Sequence, residues 1–460
     1  LSFHPLFGIL AQAILILHLW EVKKNILAFV FILFAVANVL GQTNAKIVAP
    51  RVQENLFLLK TEKYSSLMQR MDPTMKRMVD AEKLEGLWES LKMQYGNVIK
   101  IGTTEVKIKD TLYSTLTPIS FEKAELGFRM VLDQQLLIAG LFLEPLVKDY
   151  SPPSWINAQG FYEVKKFVPT KAFPSEALLT LPNGASKSPV MVIIGGSGPT
   201  DKNLSMGPNR IYQDIAWGLG MYGVASYRYD KRTRAFAAHM GNPDKITVAE
   251  EYLEDVKNIV TWLKQREDID SNRIFLFGHS EGGYLIPWFC SEIPGLAGVI
   301  IGAGNYQRLA DMLPYQLNYL LKLSDDDAPE KLLLEKELSK IPYAQKKLKK
   351  DSPKDSLPLG MSATYLMYLN AKAPANYLKA LQPYPVLVVQ GGRDYQVPVS
   401  EFELWKKNLA SHKSADFIKY PALNHVFISG ENPSIPQEYT EPGHVSKTFI
   451  EDLAKWINAK

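Results

Sequence analysis

The stretch Ile274-Phe-Leu-Phe-Gly278-His-Ser280-Glu-Gly282-Gly283-Tyr-Leu-Ile-Pro287 decides the fold. An apolar run, then Gly-x-Ser-x-Gly, then an apolar segment opened by small residues, reads as a buried strand, a sharp turn and a helix. The glycines belong there because a β-carbon on either side would crowd the strained turn that carries the serine. So held, Ser280 projects over the end of a sheet with a helix N-terminus beneath it. The positive dipole and free N–H groups of that terminus favour a developing anion.

Working outward, Pro189–Gly195, Val224–Tyr229, Val299–Gly302 and Val386–Val389 are further continuous apolar runs, as expected of strands buried on both faces. Between two of them, Thr247–Arg266 has helical periodicity, with Leu253, Val256, Ile259, Val260 and Leu263 on one face. The alternation predicts an α/β domain over residues 160–460, with a mostly parallel sheet covered by helices and a site at the strands' C-terminal ends. Residues 305–380, rich in Leu, Tyr and Lys, are expected to form a helical cap inserted between adjacent core strands.

A serine hydroxyl needs a base and the base needs an orienting carboxylate. His425, in Tyr420-Pro-Ala-Leu-Asn-His425, follows a strand-like segment. Asp394, in Gln390-Gly-Gly-Arg-Asp394, follows another, so Ser280, Asp394 and His425 make the candidate triad in that chain order. The oxyanion needs two backbone donors. One is the N–H of Glu281; the other is assigned to Ser197, with Gly196 as the fallback, in Gly195-Gly-Ser-Gly-Pro-Thr-Asp201. That loop lacks the Lys-Ser/Thr ending of a phosphate loop. Of the remaining histidines, His279 is read as packing behind the serine, His412 as an exposed residue at a helix end, and His444 as a pocket-lining residue. Tyr315 and Tyr365 are candidates for the pocket wall or for plain cap packing, and Asp325 to Asp327 read as a solvated loop.

Composition narrows the classes. The 460 residues are 46% hydrophobic and 22% charged with a net charge of +4, an ordinary globular balance without the basic stripe of a nucleic-acid binder. The basic run Lys346–Lys350 reads as a solvated helix. A single cysteine, Cys290, excludes an intramolecular disulfide and any cysteine-rich metal site. No cofactor or metal is called for. Lys23-Lys24, the apolar run Ile26–Ala37 and the small residues before Gln42 read as a secretory signal cleaved before Gln42, with residues 1–21 an over-extended start. The run Phe7–Trp20 is shorter than the roughly 20 residues that span a bilayer, so the mature chain is expected to be exported without a membrane span, to the periplasm or beyond. Residues 48–145 read as a small α+β accessory domain. Two or three helices over Val48–Trp88, broken near Asp72-Pro73, precede strands at 98–101, 105–116, 123–132 and 135–142. Its expected role is folding, docking or dimerisation, the last giving a homodimer.

Several of these motifs together resemble the secreted bacterial α/β-hydrolases of the dienelactone-hydrolase-like and EstD-type carboxylesterase set. The matching residues are Gly195-Gly-Ser-Gly-Pro199, Arg228-Tyr-Asp-Lys-Arg232, Gly278-His-Ser-Glu-Gly-Gly283, Leu357-Pro-Leu-Gly360, Gln390-Gly-Gly-Arg-Asp394 with Gln396-Val-Pro398, Leu423-Asn-His425 and Glu441-Pro-Gly-His444. The resemblance implies that Ser280, Asp394 and His425 are the triad and that the activity is hydrolysis of short-chain acyl esters. The N-terminal part resembles the small domain of uncharacterised function often found ahead of such enzymes. Thr233-Arg234-Ala235 departs from the Gly-x-Gly that commonly follows Asp-Lys-Arg in the set. Other classes stay open on the same residues: an acyltransferase or thioesterase, a serine peptidase, or a non-catalytic envelope-binding protein.

Overall fold

The computed structural model describes residues 46–109, 111–146, 150–324 and 329–460. The expected signal segment and Asp325 to Asp327 lie outside them. The chain divides after Val147 into two compact units.

In the first unit four helical segments stand where two or three were expected: residues 46–60, Tyr64–Gln69, Pro73–Met78 and Ala81–Tyr95. Besides the expected break near Asp72-Pro73, the chain also breaks at 61–63 and 79–80. The Asp72 carboxylate accepts from Met75 N at 2.6 Å with Pro73 at the first helical position, and Asp80 accepts from Lys83 N at 2.8 Å. The expected strand over 105–116 is instead a hairpin, Glu105–Lys109 paired antiparallel with Leu112–Phe121. Polar residues around Thr111 reverse the chain. With Val98–Ile101, Glu125–Leu132 and Ile138–Pro145 these form one antiparallel sheet, and its face with Ile119, Met130 and Ile138 buries Leu67, Met71 and Trp88.

The second unit is built on eight strands: β1 Phe161–Phe167, β2 Glu176–Pro182, β3 Ser188–Ile194, β4 Ala225–Tyr229, β5 Ile269–His279, β6 Gly298–Gly302, β7 Val386–Gly391 and β8 Ala415–Tyr420. Their order is β8-β7-β6-β5-β3-β4-β2-β1, with β2 antiparallel to both neighbours and β4 through β8 joined in parallel. Every residue of β3, β4, β6 and β7 is buried, as continuous apolar runs require. The pleat divides β3 between two cores. Val190, Val192 and Ile194 face Trp288 and Trp405, while Met191 and Ile193 face Phe449 and Trp456. This is an α/β-hydrolase fold. Between the adjacent strands β6 and β7 the chain leaves the sheet to form the cap helices Leu309–Leu323, Pro329–Lys346, Ala363–Ala371 and Pro374–Leu381. Among the described residues no helix is long and apolar enough to cross a membrane.

Candidate active site

The loops after β3, β5, β7 and β8 carry Ser197, Ser280, Asp394 and His425, so strand order alone gathers them at one edge of the sheet. Ser280 sits at φ 57°, ψ −120°, a region side chains rarely adopt, between the end of β5 and the helix Glu281–Glu292. Its N–H donates to Gly302 O at 2.9 Å, which anchors the turn to β6. The flanking glycines are needed for space. A β-carbon on Gly278 would lie 2.3 Å from Gly282 O, and one on Gly282 would lie 2.6 Å from Ile194 O. Gly196 also has little room, since its β-carbon would come 3.0 Å from Ser280 Cβ.

His425 Nδ1–H donates to Asp394 Oδ2 at 2.8 Å. The carboxylate is fixed by three further donors: Gln390 Nε2 at 2.9 Å, Gln396 N at 2.8 Å and Val397 N at 2.9 Å. Four donors on a carboxylate that is 4% exposed leave it only one orientation. No hydrogen bond joins Ser280 Oγ to the His425 ring in this structure. Contacts of that kind are often long without substrate and tighten in the complex.

His279 lies behind the serine, as expected, and also has a partner that the motif did not reveal. Its ring centroid is 4.9 Å from that of His425. Nε2 is 3.0 Å from the His425 carbonyl oxygen, which can only accept, so the proton sits on Nε2, and Nδ1 accepts from the Tyr212 hydroxyl at 3.1 Å. The residue beside Ser280 thereby fixes the backbone of the His425 loop. Burial, helped by the neighbouring His425, pushes the His279 pKa down to about 3. A histidine held neutral in the fold stabilises it fully above its ordinary value near 6.5, and that stability is lost as pH falls towards 3. Urea unfolding between pH 7 and 4.5 should therefore show a slope that is shallower in His279→Asn, by up to about 1.4 kcal/mol per pH unit. Parallel slopes in the two proteins would show that His279 takes up its proton in the fold as readily as in the unfolded chain.

Behind the Gly195–Pro199 loop is a buried ionic network. Lys231 Nζ donates to Gly196 O at 2.9 Å, to Gly198 O at 2.8 Å and to the Tyr252 hydroxyl at 2.7 Å, and pairs with Glu251 at 2.6 Å. The Tyr252 hydroxyl faces Gly196 O at 2.7 Å and Glu281 Oε1 at 3.0 Å; the Tyr365 hydroxyl faces Glu251 Oε2 at 2.7 Å and Glu281 Oε1 at 2.8 Å. Each hydroxyl has one proton and two acceptors to serve. Burial raises the Glu281 pKa, and Lys231 with Glu251 supplies the ion pair of the network. Two carbonyls of the loop are thus held from behind, turned away from the serine. Thr233, in the departure from Gly-x-Gly, falls in a short helix Arg232–Ala235, and its hydroxyl donates to Glu251 at 2.9 Å. Sequence reasoning assigned no role to Lys231 or Glu251, although the charged run Arg228–Arg232 directly after a fully buried strand was a signal that these charges are internal.

A chamber of about 130 Å³ opens on Ser280, with Ser197 and Glu281 beside it and Leu309, Met312 and Leu369 among its walls. Tyr365 lines an adjoining chamber of about 430 Å³. The other expected lining residues are elsewhere. Tyr315 is 47% exposed, because the wall stripe of its helix runs through Met312, Leu313 and Gln316, one residue round the turn. His444 is outside these chambers, 3.3 Å from Asp214 Oδ2 and edge-on to Tyr150. His412 is buried rather than exposed, its Nε2 donating to Leu381 O at 3.0 Å and its Nδ1 accepting from Ser414 N at 3.2 Å. Cys290 is buried, and burial raises its thiol pKa well out of the reactive range.

The chain is 32% identical over 400 residues to Esterase EstD of Thermotoga maritima, across 87% of this chain and 92% of that protein. A family model described as serine aminopeptidase, S33, matches residues 209–432, and one described as a protein of unknown function (DUF3887) matches residues 53–141. Among solved structures, an esterase of Pyrococcus furiosus aligns over 68% of this chain and 98% of its own at 16% identity, TM-score 0.41. A hypothetical protein of Pseudomonas aeruginosa aligns over 68% and 98% at 14% identity, TM-score 0.43.

Proposed function

The chain belongs to the α/β-hydrolase family of serine hydrolases and esterases that includes EstD, and from that premise we propose that it is a serine carboxylesterase acting on short-chain acyl esters through an acyl-enzyme. The observation that carries the proposal is the His425–Asp394 hydrogen bond at 2.8 Å, next to a serine on a strained strand-to-helix turn. In this reading His425 takes the Ser280 proton, the oxygen attacks the ester carbonyl, and the alcohol leaves with the proton from His425. Water then repeats the attack with the same base. Asp394 holds the imidazole and stabilises its charged form. The N–H groups of Glu281 and Ser197 receive the oxyanion in both steps.

An aminopeptidase reading would need a carboxylate free to receive the substrate ammonium. Each carboxylate lining the two chambers described has a partner: Glu251 and Lys231, Asp244 and Lys354, and Glu281 with its two tyrosines. That favours the ester. The test is incubation with a fluorophosphonate followed by peptide mass spectrometry, beside p-nitrophenyl acetate turnover. Phosphonylation of Ser280 with parallel loss of turnover is expected. Turnover that survives full labelling of Ser280, or label found only elsewhere, overturns the assignment.

A further inference from the structure

Leu357-Pro-Leu-Gly360 has no part in the chemistry above, yet it is placed with unusual care. Leu359 lies at φ 58°, ψ 20°, a left-handed conformation that costs a bulky residue energy, and Gly360 follows at φ 63°. Leu357 is fully buried and anchors the turn. The strained residue is held by its own N–H, which donates to Glu337 Oε2 at 2.6 Å, and Lys340 fixes Glu337 at 2.6 Å. The result is a leucine side chain that is half exposed and forms part of the wall of three chambers at once: the one at Ser280, the one beside Tyr365, and a third of about 680 Å³. The third is aliphatic, with Leu313, Leu317, Leu320 and Leu333 in its wall, and it shares Gln316 as well as Leu359 with the chamber at the serine. Leu333, facing this space, is 65% exposed. So much exposed aliphatic surface beside a reactive centre calls for an apolar ligand.

Building on the esterase reading, we propose that the substrate is an ester with one short arm and one long aliphatic arm. The long arm runs from Ser280 past Leu359 and Gln316 into the leucine-lined chamber, and Leu359 is the partition that sets which arm enters. Acyl and alcohol chains share this chemistry, so two series are needed. In one, p-nitrophenyl acetate, butyrate and octanoate vary the acyl arm. In the other, ethyl, butyl and octyl acetate vary the alcohol arm, followed by acid release. One series should climb in kcat/KM by up to about fourfold per added methylene, the gain from burying a CH₂ group. Leu320→Trp, which puts an indole in the path of the chain, should lower the octyl-to-short ratio of that series at least tenfold. Leu333→Trp does the same from an exposed position if the first variant folds poorly. Leu359→Ala should flatten the difference between the two series. A parent that turns over acetate but shows no rise along either series, or a ratio unmoved by both tryptophans, overturns the chamber assignment and leaves the esterase reading standing. Failure to hydrolyse any ester would remove both.

Discussion

Ser280→Ala should lose ester turnover by about 10⁶-fold in kcat, the order expected when the nucleophile of a serine hydrolase is removed, with its fold and thermal transition close to the parent's. The size follows from the arrangement. Asp394 and His425 stay hydrogen-bonded without the hydroxyl, but there is then no oxygen for the imidazole to activate. What remains is binding and the backbone donors, which support only a residual rate above water. Asp394→Asn supplies the internal control. It keeps the shape while offering His425 Nδ1 the wrong partner, and should cost about 10⁴-fold. Stopped-flow and long-time-course assays with p-nitrophenyl acetate measure both. Retention of more than a hundredth of the parent rate in either variant would exclude the triad as assigned.

The second large effect is expected at Lys231. The residue is 1% exposed and its partner Glu251 is 4% exposed. Lys231→Met leaves a buried carboxylate without its cation, which typically costs about 3–5 kcal/mol of stability. It also removes the donor shared by the Gly196 and Gly198 carbonyls, leaving them only the Tyr252 hydroxyl and Thr200 N, so the loop with Ser197 is held less firmly. A displaced oxyanion donor costs about 10²-fold or more in kcat, with little change in KM. The two consequences separate in Lys231→Met/Glu251→Gln. Without the orphaned charge, urea unfolding should recover most of the stability, while kcat stays low because the carbonyls still lack the ammonium that tied them together. If stability and kcat recover together, Lys231 serves the fold alone.

The turn at Ser280 and the pairing of His425 with Asp394 were legible because their requirements are local. Gly278 and Gly282 answer clashes within one turn, and Asp394 and His425 each directly follow an apolar run. The Lys231 network was not, because it joins residues from five separate segments; Tyr365 and Glu251 are 114 positions apart. A buried lysine with balanced partners reads in sequence like any solvated one. His412 misled for a related reason, since two backbone groups satisfy a ring that sequence alone places in a polar stretch. Tyr315 missed the chamber by one position because a helical pattern shows that a face is buried without showing what it faces. The hairpin at 105–121 was read as one strand because its reversal takes only a few polar residues and no glycine.

The bond from His279 to the carbonyl of His425 bridges 146 positions of chain. Contacts of that span close late, after the loop entropy between their ends has been offset by the rest of the sheet. The nucleophile and its base therefore meet only when β5 and β8 already lie in one sheet. A chain that is nascent, or held unfolded by a carrier, has every residue of the proposed triad but not their juxtaposition, so ester turnover, where the proposal holds, should measure how much of the protein has finished folding.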